Sequence, residues 1–306
     1  MTAADSISKM RVVIIGGTKF IGPHVVRQFV DQGHQVVVYH RGQTEASLPE
    51  DVKHIHSQSA SIPIVSFADA LLVERCEVVI HMIAMGEVDA RATVEAFRTR
   101  AQRLVVLSSG DVYLAYGRFT RSEPGPPLNG LLREDSPLRS VFYPYRKKAA
   151  SKEDWTYCYE KILVEQIVCS DSELPTTVLR LPKVYGPGGN ADLKTAYSFR
   201  NHPDWRWTHG YVENVAAAIV LAAMHPKAIG RIYNVGEQYT PTIAERLASL
   251  PDHADIPSGD QSNFDFRQNM AYDTNRIREE LGYTEPVSYE EGLRRTMGSE
   301  PNAINV

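Results

Sequence analysis

Cysteine is scarce: only Cys76, Cys158 and Cys169 occur in 306 residues. They form no C-x-x-C pair and leave one over in any pairing scheme, which argues against a disulfide framework and suits a reducing compartment. Long apolar runs are missing too. The longest, from Val78 to Met85, contains His81 and falls far short of the ~20 residues that span a bilayer. The amino terminus, MTAADSISKM, carries an acid and no apolar stretch, so it does not read as a signal peptide, and a cytoplasmic location is expected. Charge of one sign is not in excess either. Lys plus Arg is 33 against 37 for Asp plus Glu, a balance of −4 that leaves no general footprint for nucleic acid. What remains is 43% apolar and 23% charged residues with a mean hydropathy of −0.29. A chain of this length and composition buries a sizeable core without staples.

Strands and helices alternate along most of it. Arg11 to Ile15 is an apolar run suited to a strand buried on both faces, and Gly16-Gly17 bound it. Val25, Val26, Phe29 and Val30 follow at helical spacing, Gly33 ends that helix, and Val36 to Val38 is a second strand. Strands are expected again at Val78–Ile80, Leu104–Leu107, Thr176–Leu179 and Ile232–Val235, with helices at Val88–Phe97, Trp155–Cys169 and Val212–Ala223. Between Gly117 and Ser151 the chain is irregular and rich in Pro, Gly and Arg. The alternation predicts an α/β fold, a doubly wound parallel sheet of the Rossmann type. The tail from Gln238 onward lacks it and reads as part of a smaller lobe.

Three segments carry chemistry. Gly16-Gly-Thr-Lys-Phe-Ile-Gly22 lies between the first strand and helix, where glycines admit a pyrophosphate and the helix terminus offers N–H groups. The second strand ends in Tyr39-His40-Arg41-Gly42, with no acid to hold a ribose 2′-hydroxyl. Arg41 and Lys19 can both reach a 2′-phosphate, which favours NADP over NAD. Ser108-Ser109-Gly110-Asp111-Val112-Tyr113 closes a central strand at its carboxyl edge, where open sheets place ligands. Ser109 there either bonds a reacting oxygen or caps a turn. Tyr157-x-x-x-Lys161 lies in an expected helix, so both side chains should share a face one turn apart, with the lysine stabilising a phenolate. A second such spacing, Tyr143 to Lys147, is disfavoured because Pro144 pushes Tyr143 out of helical geometry.

Together with Leu179-Arg-Leu-Pro-Lys-Val-Tyr-Gly-Pro-Gly188, Tyr211-Val-Glu-Asn-Val-Ala216 and Tyr233-Asn-Val-Gly236, these segments resemble the extended, atypical short-chain dehydrogenase/reductase superfamily. That group contains NAD(P)-dependent nucleotide-sugar epimerases, dehydratases and reductases, and the likeness runs from about residue 11 to about residue 296. The resemblance implies a catalytic set of Ser109, Tyr157 and Lys161. Tyr157 would exchange a proton with a substrate hydroxyl or carbonyl, Lys161 would hold ribose hydroxyls, and Ser109 would orient the substrate oxygen. It implies cofactor contacts from Gly16, Gly17, Thr18, Lys19, Phe20, Ile21, Gly22, Arg41, Ile83, Ala84, Pro182 and Val184 besides Tyr157 and Lys161. It assigns residues 9–181 and 211–236 to the dinucleotide-binding domain, and 182–210 and 237–306 to a substrate lobe. The implied partner is a sugar-like, anionic small molecule, with a homodimer by family habit and neither membrane nor nucleic acid.

The departures from the family pattern bear on substrate and reaction. Lys19 replaces a common middle glycine, as in a branch whose basic residue again suits NADP. Lys183 stands where an asparagine often lies near a substrate diphosphate, and either holds an anion or faces solvent. The stretch from Ser109 to Tyr157 is long for the family, and its Arg139, Arg146, Lys147, Lys148 and Lys152 read as a solvated loop or an anion-facing lid. Between Gly189 and Tyr211 the chain is short, which argues for a trimmed substrate lobe. Asp111 occupies the position of a dehydratase glutamate, but Gly110 beside it replaces an acid, so a carboxylate pair is not assembled and a capping role competes. His209 reads equally as substrate contact or core. His54 and His56 alternate on a strand without a third metal ligand, so no metal is expected. Trp205 and Trp207 read as packing, and Glu165, Glu213 and Asp273 as helix-face or capping acids. The expected function is hydride transfer at a hydroxyl or carbonyl carbon of a sugar-like substrate. A sugar-nucleotide dehydratase and a non-catalytic nucleotide- or RNA-binding relative are the alternatives.

Overall fold

A computed structural model describes residues 9–44, 46–57, 62–187, 193–251 and 262–298, residue 194 by its backbone alone. The chain runs β1 (Arg11–Ile15), α1 (Ile21–Asp31), β2 (Gln35–His40), β3 (Lys53–His56), α2 (Asp69–Leu72), β4 (Cys76–His81), α3 (Glu87–Phe97) and β5 (Ala101–Ser109). It continues through α4 (Leu114–Phe119), α5 (Trp155–Cys158), α6 (Lys161–Ser170), β6 (Thr176–Leu181), β7 (Lys183–Tyr185), α7 (Leu193–Ser198), β8 (His209–Tyr211), α8 (Val212–Met224) and β9 (Ile232–Asn234). Three short helices follow: α9 (Ile243–Ala248), α10 (Asn275–Leu281) and α11 (Tyr289–Gly298).

Seven strands form one sheet in the order β3-β2-β1-β4-β5-β6-β9, every neighbouring pair parallel. Because successive side chains point to opposite faces, each apolar strand feeds two cores. Val12, Ile14, Val78, Ile80, Val105 and Leu179 face one core, which α1 and α8 cover. Val13, Ile15, Val79, Val106 and Val178 face the other, beneath α3 and α6. The chain winds outward from β1 to β3, then returns to the opposite side of β1 with β4. That reversal opens a crevice at the carboxyl ends of β1 and β4, the place where open sheets take ligands.

Beyond the carboxyl end of β5 lies a third core. Val112, Tyr113, Phe119 and Leu132 meet Trp205, Ile243, Met270 and Tyr272 there, with Phe119 stacked on Trp205 at 4.8 Å between centroids. Trp205 is thus packing, as its sequence context suggested. A two-stranded parallel sheet of β7 and β8 leads into this region.

The helix expected over Trp155–Cys169 is two helices. Asp154 caps α5 by accepting the Thr156 N–H at 2.9 Å. At Glu160 the chain turns extended, with φ −158° and ψ 95°, and its N–H donates to the Met85 carbonyl at 2.8 Å. The Glu160 carboxylate caps α6 through the Ile162 N–H at 3.0 Å and meets the Arg139 guanidinium, also at 3.0 Å. Apolar periodicity cannot register a residue drawn out of the helix by a buried partner 21 positions away. Among the described residues no helix is long and apolar enough to cross a membrane, and all three cysteines are free.

Candidate active site

The glycine loop leaves β1 and enters α1 in very little space. A Cβ on Gly22 would lie 2.5 Å from the Gly17 carbonyl carbon, so the helix can begin this close to the strand only without a side chain. Gly16 N–H donates to the Tyr39 carbonyl at 3.0 Å, and the Thr18 hydroxyl lies 3.0 Å from that of Thr44. No side chain caps α1, whose preceding residue Phe20 has φ 47°. Backbone N–H groups at that helix start are therefore uncapped by any side chain, the arrangement that accepts a pyrophosphate. Lys19 and Arg41 are exposed on the rim, Ile83 is half-buried beside Gly16, and Ala84 is buried. The residues present fit a dinucleotide.

Ser109 ends β5 opposite Leu181 of β6. Its hydroxyl accepts the Asp111 N–H at 3.3 Å and caps a short 3-10 turn, so the cap here is Ser109 and not Asp111. Ser109 and Asp111 open on a cavity of about 210 Å³ shared with Tyr116, Tyr145, Lys183 and Trp207. Tyr272 closes the wall behind Gly110. A Cβ at position 110 would fall 1.5 Å from the Tyr272 hydroxyl, which is why no acidic side chain stands beside Asp111. Trp207 is a cavity wall as well as packing, and the Lys183 ammonium sits 5.7 Å from its ring centroid.

Asp111 is 5% exposed. Its Oδ2 accepts the Tyr145 and Tyr159 hydroxyls, each at 2.9 Å, while Oδ1 is buried with no protein partner. Burial pushes the Asp111 carboxyl up, against the Arg139 charge and the two phenol bonds. The same burial and the Asp111 charge hold the Tyr159 phenol well above its ordinary value and raise Tyr116 to about 12. Tyr145 moves in the same direction for the same reasons. These phenols are neutral donors, and their hydrogen bonds favour an ionised Asp111.

Lys161 lies behind the cavity. Its Nζ donates to the Ala84 carbonyl at 2.6 Å and the Leu107 carbonyl at 3.0 Å, and burial lowers it to about 8. The break at Glu160 takes Tyr157 off the Lys161 helix face, contrary to the spacing argument. Tyr157 stands outside the cavity wall with Arg146, whose Nε donates to its carbonyl at 2.9 Å and whose guanidinium lies 4.7 Å over its ring. Tyr159 has its ring centroid 5.6 Å from the Lys161 Nζ and its hydroxyl hydrogen-bonded to Ser109 and Asp111.

Other expectations also change. Arg139 is no lid residue but half of a fully buried ion pair with Glu160, and its Nε donates to the Asp111 carbonyl. Glu165 is not a helix-face acid. It accepts Arg180 at 2.7 Å and the Ser108 hydroxyl at 2.5 Å, inside the molecule. His209 belongs to the core at 1% exposure, its Nδ1 on the Trp207 carbonyl at 2.7 Å, and burial drives it well below the usual histidine range. Pro182 lines the cavity, whereas Val184 packs in the first core. His54 and His56 lie on the exposed face of β3, where His54 Nδ1 comes 3.0 Å from His40 Nε2. Among the described residues no cluster of metal ligands forms. Tyr116, Tyr145 and Tyr159 belong to no Tyr-x-x-x-Lys spacing, and their one signal in the sequence is the density of tyrosines between 113 and 159.

The model of the NAD dependent epimerase/dehydratase family matches residues 12–96. UDP-N-acetyl-alpha-D-glucosaminuronate decarboxylase of Bacillus cytotoxicus is 24% identical to this chain, over 94% of it and 97% of that protein. Sterol-4-alpha-carboxylate 3-dehydrogenase, decarboxylating, of Dictyostelium discoideum is 24% identical over 65% of this chain and 60% of its own. The structure of UDP-glucose 4-epimerase from Thermus thermophilus in complex with NAD superposes with a TM-score of 0.68 at 21% identity, covering 96% of this chain and 100% of that one. Residues 12–96 thus match the NAD dependent epimerase/dehydratase family, and the chain as a whole shares the fold of UDP-glucose 4-epimerase.

Proposed function

We propose that this protein is an NAD(P)-dependent enzyme of nucleotide-sugar type, acting at a hydroxyl or carbonyl carbon of a sugar-like substrate. The observation that carries this reading is the cavity shared by Ser109, Asp111 and Lys183 at the carboxyl edge of the sheet that bears the glycine loop. The nicotinamide, when bound, supplies the hydride acceptor or donor. Ser109 orients the reacting oxygen, Lys183 holds an anionic part of the substrate, and Lys161 adds positive charge behind the strand end. The sequence resemblance assigns the proton-exchanging phenol to Tyr157, while Tyr145 is a phenol on the cavity wall. Segments 182–210 and 237–306 serve as the substrate lobe on this reading, and the 9–181 and 211–236 segments as the cofactor domain. Two named relatives act on carboxylated substrates, in keeping with a lysine in the cavity. A dehydratase would use Asp111, the one carboxylate among the described residues that line the cavity, as its base.

The test incubates the purified chain with NAD+ or NADP+ and a panel of UDP-sugars, following reduced nicotinamide and products. Ser109→Ala should lower turnover by about a hundredfold while cofactor still binds. Tyr157→Phe and Tyr145→Phe, compared side by side, locate the proton-exchanging phenol. No turnover and no cofactor binding by the unaltered chain would overturn the reading. NADP is the cofactor we favour, because Lys19 and Arg41 are both exposed at the rim. Arg41→Ala should then weaken NADPH about tenfold and leave NADH nearly unchanged.

A further inference from the structure

The segment that follows β2 is an arch standing on the glycine loop. At its near foot the Gly16 N–H donates to the Tyr39 carbonyl at 3.0 Å. At its far foot the Thr44 and Thr18 hydroxyls hydrogen-bond at 3.0 Å. Between the feet the Gly42 N–H donates to His40 Nδ1 at 3.3 Å, and past the far foot the Arg27 guanidinium of α1 donates to the Ser47 carbonyl at 2.7 Å. Arg41 is exposed on this arch, and Lys19 is exposed one residue beyond Thr18. The far foot is a telling use of Thr18. Serine and threonine beside a helix start commonly turn the hydroxyl onto its first N–H groups, yet no side chain caps α1. Thr18 is 8% exposed, and its hydroxyl meets Thr44 instead. One contact thus leaves the helix start uncapped by a side chain and holds the arch against the loop.

We propose that Thr44 is a positioning residue for cofactor choice, which by pinning the arch to Thr18 holds Arg41 in place for the 2′-phosphate of NADP(H). This rests on the dinucleotide reading above and names what fixes its selectivity. An arginine on an unpinned loop must order its backbone as well as its long side chain when it grips a phosphate, and that cost is subtracted from affinity. With the chain pinned on both sides of Arg41, at Tyr39 and at Thr44, the backbone is ordered before the cofactor arrives. The charge-assisted bond to the phosphate is then expressed with less loss. NADH carries a hydroxyl in place of that phosphate, so it gains little from Arg41 and does not register the pin.

Thr44 is half-buried and lies outside every strand and helix, so substitutions there act on the arch and not on the sheet. Thr44→Val keeps nearly the same shape and removes the hydroxyl. Thr44→Ser keeps the hydroxyl and removes a methyl group.

The experiment titrates NADPH and NADH into the purified chain and its variants, followed by nicotinamide fluorescence. Adenosine 2′,5′-bisphosphate and AMP, titrated by calorimetry, isolate the adenosine end from the nicotinamide. Thr44→Val should weaken NADPH and the bisphosphate about fivefold, and leave NADH and AMP within about twofold. Thr44→Ser should bind all four as the unaltered chain does. In an Arg41→Ala background, where NADPH is already weakened, Thr44→Val should add less than about twofold. A merely structural role for Thr44 would not produce that pattern, because a disordered loop weakens NADH as well and adds to the Arg41 loss. If Thr44→Val does not fold, Thr44→Ala in the same two backgrounds decides. Unchanged NADPH binding by Thr44→Val, equal losses for NADPH and NADH, or full additivity with Arg41→Ala overturns the inference. So does an unaltered chain that binds NADH as tightly as NADPH, which leaves the reading of a nicotinamide enzyme intact. Failure of the unaltered chain to bind either nucleotide overturns both.

Discussion

A methyl group at position 110 would have to occupy the same space as the Tyr272 hydroxyl, 1.5 Å from it. At residue scale the site is governed by such exclusions. Gly110 lets Tyr272 close over the end of β5, and that closure leaves Asp111 as the single carboxylate among the described residues that line the cavity. Gly110→Ala should destabilise the fold by about 1–3 kcal/mol, the usual range for overpacking, and displace Tyr272. Urea unfolding monitored by circular dichroism measures the first effect, and an unchanged midpoint would contradict the packing argument. Tyr272→Phe in the same background removes the clashing oxygen and should recover part of the loss.

At the scale of elements, the junction between α5 and α6 decides where the tyrosines stand. Glu160 ties several groups together: the Arg139 guanidinium and the N–H groups of Tyr143 and Ile162 through its carboxylate, and the Met85 carbonyl through its own N–H. Both side chains of the ion pair are fully buried. Removing one partner from such a pair strands a charge and typically costs about 3–5 kcal/mol. Arg139→Met should therefore lower stability by that order, read from the urea midpoint, and it should release the 139–146 segment to proteolysis. Replacing Arg139 and Glu160 together by Met and Gln should be milder than the Arg139 change alone, because no charge is left unpaired. A double variant as damaged as the single one would point to packing and not to charge. The same reasoning covers Glu165 with Arg180, which ties α6 to β6.

At the scale of the whole molecule, buried histidines set the acid side of stability. His81 is fully buried at the end of β4, its Nδ1 accepting the Ile83 N–H at 3.3 Å and its Nε2 without a protein partner. Burial, aided by the Lys161 charge, lowers it to about 3. The unfolded chain takes up a proton near pH 6.5, and the folded chain does not until about pH 3. Stability contributed this way is present above pH 6.5 and lost as pH falls from there toward 3, at about 1.4 kcal/mol per pH unit. His209, lowered in the same direction by its burial, adds to the slope. Denaturation midpoints between pH 7 and 4.5 should fall more steeply for the unaltered chain than for His81→Gln. Parallel curves would show that His81 does not contribute. The homodimer implied by family resemblance belongs to this scale as well, and sedimentation equilibrium of the purified chain tests it.

The sequence alone determined most of the sheet, because six of its seven strands and the helices that flank them follow from apolar runs and 3.6-residue periodicity that any local reading detects, and β3 shows only as the alternation of His54 and His56. It also determined the glycine loop at the start of α1 and the placement of Ser109 at a strand's carboxyl edge, since both are adjacent in the chain to the strands that carry them. Tertiary structure decided the rest. Tyr157 and Lys161 separate because Arg139, far away in sequence, draws Glu160 out of the helix. Arg139 leaves the solvated loop for the same reason. Asp111 exchanges a capping role for a buried site because Tyr145 and Tyr159 arrive from a segment whose conformation no periodicity describes. Local pattern encodes backbone hydrogen bonding and the direction of apolar faces. It does not encode which distant polar groups must pair once water is excluded, and in this protein those pairings build the cavity.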